Sequence, residues 1–245
     1  MKEWMLAVFA KAGDPLSAGR NLPGGCYSYP KLKIAPVSQV VASWIPKAAG
    51  IAYATKLRGE DSVTLCTFGD GATSQGEFHE GVNFAAVHRL PVVFVCENNG
   101  YAISVPIRLQ MANPDVADRA AGYGVTGVTV DGTDVPACYE TCREAVARAR
   151  RGEGPTLIDA KIWRLNSHTS EDNHLKYRTK EELADASRHD PITRFGAWMV
   201  ERGWLTAEDA AAVQAACDVE ASDAADWAEQ QPDPLPEDAL KNVFA

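Results

Sequence analysis

Two short stretches of this sequence carry residue types that can act together chemically: Gly69-Asp70-Gly71 and Asn98-Asn99. Each follows a short apolar, β-branched run, Val63–Phe68 and Pro91–Cys96, and such runs read as buried strands. Ligands of open parallel α/β sheets bind just past the carboxyl ends of the strands. With the two strands as neighbours, the Asp70 carboxylate and the Asn99 amide oxygen converge there. A sparse all-oxygen set suits magnesium, which keeps near-octahedral geometry at about 2.0–2.1 Å and completes its shell from phosphates and water. Gly69 and Gly71 leave backbone N–H groups free to approach phosphate oxygens closely, and Asn98 and the Gly100-Tyr101 turn can add further ligands. The ligand these residues predict is a magnesium diphosphate. A lone Gly-Asp-Gly is common; followed by a helix, a strand and Asn-Asn it is far more specific.

The elements that must position this set follow from periodicity. Phe78, Val82, Ala85 and Ala86 share one face of a helix from about Gly76 to Arg89. Strand, helix and strand over this length make a βαβ unit and hence a parallel sheet. An Ala-rich helix from about Ser43 to Arg58 precedes the unit. After it come a strand at Gly127–Val130, a helix from Val135 to Arg151 and a strand from Thr156 to Trp163 that runs out toward Asn166-Ser167-His168. Thr169 to Arg178 is polar and reads as a mobile loop. Thr179 with Glu182 forms a capping-box pattern, and Asp190-Pro191 an N-cap with proline in the first turn. Thr206 opens a long helix ending near Gln231-Pro232, before a Pro-rich arm that finishes at Phe244. At the other end, Met1–Ala10 reads as an amphipathic helix, followed by an irregular stretch with turn signals at Gly13-Asp14-Pro15, Pro23-Gly24-Gly25 and Tyr29-Pro30. The expected fold class is α/β, a parallel sheet flanked by helices. It forms one domain over 1–245: 1–42 a helix and an active-site and partner-contact loop, 43–190 the core, 191–245 C-terminal helices and an extended arm.

The balance of charges narrows the partners. Of 245 residues, 24 are Lys or Arg and 33 Asp or Glu, a net charge of −9. With no dense basic stripe, nucleic acid and anionic membrane are poor partners. The Arg143–Arg151 stretch has helical spacing and reads as a solvated helix face. No apolar run reaches the roughly 18 residues of a spanning helix. Cys26, Cys66, Cys96, Cys138, Cys142 and Cys217 lack Cys-x-x-Cys or Cys/His ligand spacing, so they read as small buried thiols in a reducing compartment rather than a zinc site. His79, His88, His174 and His189 fall on helix faces or in polar segments and carry no chemical pattern.

The stretch Phe68-Gly69-Asp70-Gly71-Ala72-Thr73-Ser74-Gln75-Gly76-Glu77-Phe78-His79-Glu80, with Asn83–Val87, Pro91–Val95, Glu97–Ser104 and Val130-Asp131-Gly132, resembles the alpha subunit of the decarboxylase (first) component of 2-oxo acid dehydrogenase complexes. The likeness runs from about Leu16 to the C-terminus, and Gly19-Arg20-Asn21-Leu22-Pro23 is more like the branched-chain 2-oxo acid group. The resemblance implies a thiamine-diphosphate-binding fold that binds thiamine diphosphate and magnesium. Asp70 and Asn99 would hold the metal through side chains and Tyr101 through its carbonyl. Gly69, Gly71 and Ala72 would line the diphosphate, and Val41 would sit beside the aminopyrimidine ring. His168 matches the family's active-site histidine, implicated in binding the reacting group and in acyl transfer to lipoamide. Arg164 is placed to orient its loop. Thr169 and Ser170 fall where mitochondrial relatives are phosphorylated, although a polar loop needs no kinase to explain it. The implied reaction is oxidative decarboxylation of a branched-chain 2-oxo acid in the cytoplasm. The implied partners are a beta subunit, in an α2β2 assembly that completes the site, and a lipoyl-bearing transacylase.

Two departures qualify the resemblance. The family's chain continues upstream of Met1, in a segment whose Tyr-Arg pair contacts the diphosphate. At Gln39–Trp44 relatives carry serine, threonine and glutamine positions that hold potassium; Trp44 cannot be a ligand, so potassium is not expected there in the family manner. A pyruvate or acetoin dehydrogenase alpha subunit remains an alternative within the family. A non-catalytic partner chain with a degenerate site is the alternative outside it; intact Asp70, Asn99 and His168 argue against that.

Overall fold

The computed structural model describes residues 1–17 and 27–241. Gly19–Pro23, Pro23–Gly25, Cys26 and Phe244, singled out above, lie outside the described residues. The chain divides into two compact units, one of residues 1–40 with 200–245 and the other of residues 41–199. In the first unit α1 (Lys2–Val8) is the opening helix. Its Trp4 meets Tyr27 edge-on at 4.7 Å, and beyond it Asp14 ties down its own turn by accepting the Leu16 N–H at 2.7 Å.

The second unit carries the sheet. Its elements are α2 (Trp44–Arg58), β1 (Thr64–Gly69), a 3-10 turn at Asp70–Ser74, α3 (Gly76–Val87) and β2 (Val92–Asn98). A small hairpin of β3 (Tyr101–Ala102) and β4 (Val105–Pro106) follows, with α4 (Ile107–Gln110), a 3-10 turn at Val116–Arg119 and α5 (Ala120–Tyr123). Then come β5 (Thr126–Asp131), α6 (Val135–Arg150), β6 (Thr156–Lys161), a 3-10 turn at His174–Lys176, α7 (Lys180–Arg188) and α8 (Pro191–Glu201). In the first unit again, α9 (Ala207–Glu229) opens on a full Thr206/Asp209 capping box and packs against α1.

The four main strands lie in the order β1-β2-β6-β5, and every pairing is parallel. Gly69 stands opposite Glu97, and Asn98 opposite Lys161. The carboxyl ends of neighbouring strands are therefore in step, which puts their following turns along one edge. Helices cover both faces, as the apolar runs require. Phe94, Leu157, Cys66 and Phe68 pack toward Ile45 and Ala52 of α2 and Phe78 and Val82 of α3. Val93 and Ile158 pack toward Ala145 of α6 on the other face. Burying side chains of this size stabilises the fold by roughly 1.5–3 kcal/mol each. α6 lies over β2, β5 and β6, while Leu65 of β1 is exposed.

Several boundaries differ from the expectation. β2 continues past Cys96 through Asn98, and β6 stops at Lys161 rather than Trp163. The hairpin and short helices between Tyr101 and Tyr123 were not foreseen, since each is too short to develop a period. The box at Thr179 is half made. Thr179 Oγ1 accepts the Glu182 N–H at 3.1 Å, but the Glu182 carboxylate turns to Arg178 at 2.9 Å. Cys66 and Cys96 are buried, but Cys217 is exposed, which corrects its reading as a buried thiol. The Arg143–Arg151 face is neutralised from within the chain by pairs with Glu140, Glu144, Glu153 and Asp61.

Candidate functional site

Asp70 is the first residue past β1, and its side chain is fully buried, 0% exposed. Among the described residues neither carboxylate oxygen has a hydrogen-bond partner of good geometry. Burial pushes its pKa up, the backbone N–H groups of Asp70 and Asn99 pull it partly back, and the nearby negative charge of Asp159 raises it further. β1 and β2 pair in parallel up to Gly69 and Glu97, so the turns that carry Asp70 and Asn99 leave the sheet at the same edge. A buried carboxylate with so little compensation is costly, and a bound cation would offset that cost.

The backbone around Asp70 is braced although its side chain is not. Its carbonyl accepts from Thr73 Oγ1 at 2.8 Å and from Gln110 Nε2 at 2.8 Å. Arg119 donates to the Thr73 carbonyl at 2.7 Å. The short elements after β4 thus hold the Asp70–Ser74 turn, and Gln110 keeps a buried, unpartnered Oε1 beside it.

The second turn is equally built. Asn99 Oδ1 accepts the Tyr101 N–H at 3.1 Å, which leaves a lone pair of that carbonyl oxygen for another partner. Gly100 takes φ +76°, the left-handed region glycine enters without penalty. Asn98, considered above as a further ligand, is instead a structural brace. Its oxygen accepts the Gly100 N–H at 3.2 Å, and its nitrogen donates to Asp159 at 3.0 Å and to the Pro114 carbonyl at 3.2 Å. The two glycines of the first turn differ. A Cβ on Gly71 would lie 2.9 Å from Ala102 Cβ, so the hairpin alone requires glycine there. A Cβ on Gly69 would meet no atom of this chain within 4 Å. Ala72 is buried in the same turn.

A second cluster surrounds the segment after β6. Arg164 donates to the Ile103 carbonyl at 2.8 Å and to the Tyr177 hydroxyl at 2.7 Å, and lies over the Tyr101 ring at 5.5 Å. Tyr177 donates to Asp172, which also accepts the His168 N–H at 2.9 Å. The Tyr177 hydroxyl, first, and that N–H hold the Asp172 carboxyl below its usual range. Buried Arg178 donates to the Arg164 carbonyl at 2.6 Å. Arg164 thus does brace the His168 loop. The imidazole of His168 is exposed, and so are Thr169 and Ser170. Val41 is 48% exposed ahead of the buried, positive-φ Ala42. Among the described residues, neither Val41 nor His168 enters the bonds around Asp70. Trp44 donates its indole N–H to the Thr67 carbonyl at 2.8 Å, and an indole nitrogen is a donor only, with no lone pair to offer a metal.

Sequence reasoning missed Asp159, Gln110 and Arg119. Asp159 had a signal: a carboxylate inside a run that otherwise reads as a buried strand. Gln110 and Arg119 had none, because the short elements carrying them were not foreseen. Of the remaining histidines, His79 meets Tyr123, His88 lies beside Tyr53 and Phe84, and His189 stacks on Trp163 at 4.5 Å, while His174 keeps a buried Nδ1 without a partner among the described residues. Among the described residues no group of three His, Cys, Asp or Glu is arranged to hold a metal, and no helix is long and apolar enough to cross a membrane. A sparse site completed by a ligand's own oxygens differs from such a cluster.

Fold and edge together define a parallel α/β protein with a buried carboxylate at the carboxyl ends of its strands. The family of the dehydrogenase E1 component matches residues 2–237, and this chain belongs to that family. The 2-oxoisovalerate dehydrogenase subunit alpha of Bacillus subtilis (strain 168) is 45% identical over 244 residues, covering 100% of this chain and 74% of that protein. The 3-methyl-2-oxobutanoate dehydrogenase subunit alpha of Mycobacterium tuberculosis (strain CDC 1551 / Oshkosh) is 47% identical over 169 residues, 69% of this chain and 46% of that protein. The mitochondrial 2-oxoisovalerate dehydrogenase subunit alpha of Homo sapiens is 36% identical over 242 residues, 98% of this chain and 54% of that protein.

Proposed function

We propose that this chain is the thiamine-diphosphate-binding alpha subunit of a decarboxylase acting on branched-chain 2-oxo acids, with magnesium at Asp70. The observation that carries this reading is the buried Asp70 carboxylate with both oxygens unpartnered, one strand from the Asn99 turn, in a chain of the dehydrogenase E1 component family. The residues fit the group. Asp70 would supply the anionic ligand, Asn99 an amide oxygen and Tyr101 its carbonyl, while the backbone at Gly69, Gly71 and Ala72 would line the diphosphate. Val41, exposed here, takes the place beside the pyrimidine. The cofactor, when bound, supplies the carbanion chemistry that releases carbon dioxide from a 2-oxo acid.

The protein's part is to bind, orient and shield. Arg164, Tyr177 and Asp172 hold the backbone of His168, and its exposed imidazole would meet the reacting carboxyl or hydroxyl group and serve acyl transfer. We assign the rest of the site to a beta subunit in an α2β2 assembly and the acyl acceptor to a lipoyl-bearing transacylase. The branched-chain assignment rests on the substrates named for the relatives.

The test is calorimetry on the chain assembled with its beta subunit. Asp70→Ala is expected to weaken magnesium thiamine diphosphate binding by more than about 100-fold, in line with loss of a charged ligand. Unchanged affinity refutes the metal assignment. In the same assembly, kcat/KM for 3-methyl-2-oxobutanoate should exceed that for pyruvate by about 10-fold or more, the usual worth of extra methyl groups in an apolar pocket. A preference for pyruvate would move the chain to the pyruvate group.

A further inference from the structure

The most heavily bonded carboxylate near the strand ends belongs to a residue with no assigned role. Asp159 lies within β6, opposite Cys96 of β2, and is fully buried. Its Oδ1 accepts from Asn98 Nδ2 at 3.0 Å, and its Oδ2 from the Val116 N–H at 2.8 Å and from Lys161 Nζ at 2.8 Å. Every donor comes from a different element: the end of β2, the 3-10 turn at Val116–Arg119, and β6 itself. Lys161 also pairs with Asp115 at 2.9 Å, so the buried charge is compensated on the side away from Asn98.

The chemistry of the Asn98 amide gives this arrangement a consequence. A carboxylate can only accept hydrogen bonds, so Asp159 must face the NH2 group of Asn98 and never its oxygen. The Asn98 oxygen is thereby turned to the Gly100 N–H, which it accepts at 3.2 Å. Gly100 sits at the φ +76° bend between Asn99 and Tyr101, the residues assigned above to the metal. We propose that Asp159 is a positioning residue for the metal turn: by dictating which way the Asn98 amide faces, it holds Gly100 and so presents Asn99 and Tyr101 toward Asp70. The proposal rests on the metal assignment at Asp70.

Asp159→Asn is the sharpest probe, because it keeps size and shape but adds a donor. The new amide can face the Asn98 oxygen, flip that side chain and set two donors against each other at Gly100. The readout is magnesium affinity in the presence of thiamine diphosphate, by calorimetry on the chain assembled with its beta subunit. We expect a loss of about 10- to 100-fold, the usual range for partners that orient a metal ligand. Asn98→Ala, which cuts the same link from the other side, should lose a similar amount; it keeps the test valid if Asp159→Asn does not fold. Ile158→Ala controls for destabilisation, since it removes packing toward α6 and touches none of these bonds. Asp70→Ala separates the two readings: if it retains metal, the site assignment itself falls. If Asp70→Ala loses metal while Asp159→Asn and Asn98→Ala bind within about threefold of the parent, the positioning role is wrong. It is also wrong if Ile158→Ala loses as much affinity.

Discussion

In the proposed site, Asp70 is where function and stability pull against each other. Its carboxyl has a raised pKa because the folded chain buries it, so the folded state keeps this proton to higher pH than the unfolded chain does. Between the ordinary carboxylate value of about 3.9 and that raised value, the folded state therefore binds more protons, and stability falls as pH rises. Asp70→Asn removes the slope. In chelator at pH 7 the variant should melt at a higher temperature than the parent, with the difference shrinking toward pH 4 in thermal unfolding. A variant that melts lower at pH 7 means the carboxylate has a stabilising partner inside the protein. This tension was half legible in the sequence. Residue types at 70 and 99 announced an oxygen site, and the strand pattern placed both at one edge. That Asn98 serves as a brace was not legible, because it depends on a carboxylate far along the chain at Asp159 that only the β2–β6 pairing brings alongside.

At the scale of elements, long periodic segments declared themselves and short ones did not. α2, α3, α6 and α9 and the strands all show in the apolar pattern. The β3–β4 hairpin and the turn at Val116–Arg119 are determined by tertiary bonds such as Gln110 to Asp70 and Val116 to Asp159. The hairpin's closeness to the Asp70 turn separates two glycines that look alike in sequence. Gly71→Ala forces Ala102 aside and should cost about 1–3 kcal/mol in urea unfolding, as overpacking does. Gly69→Ala meets no atom of the chain and should leave stability within about 1 kcal/mol, yet weaken cofactor binding by about 10-fold or more if phosphate approaches that backbone. Gly69→Ala that binds normally would remove Gly69 from the diphosphate lining.

For the whole molecule, the proposed assembly makes the segment 166–178 a place where partner and ligand act together. Its inner end is tied through Asp172, Tyr177 and Arg164, while His168, Thr169 and Ser170 are exposed. Ordering exposed backbone costs roughly 1–2 kcal/mol per residue, which new contacts must offset. Hydrogen exchange across 166–178 should slow when beta subunit and magnesium thiamine diphosphate are added together. Equal protection in the isolated chain would mean the loop needs neither. The strand order carries a further consequence, for synthesis. β6 is the last of the four main strands to be made, yet it lies between β2 and β5. At roughly 5–20 residues per second, several seconds separate the end of β2 from the end of β6 on the ribosome. Through that interval β2 has an unfilled edge that could template a wrong strand, and the nascent chain has no complete sheet to release. A chain halted before Thr156 lacks its central strand, so stalled or nicked products should be cleared by chaperones and proteases rather than persist as a folded fragment.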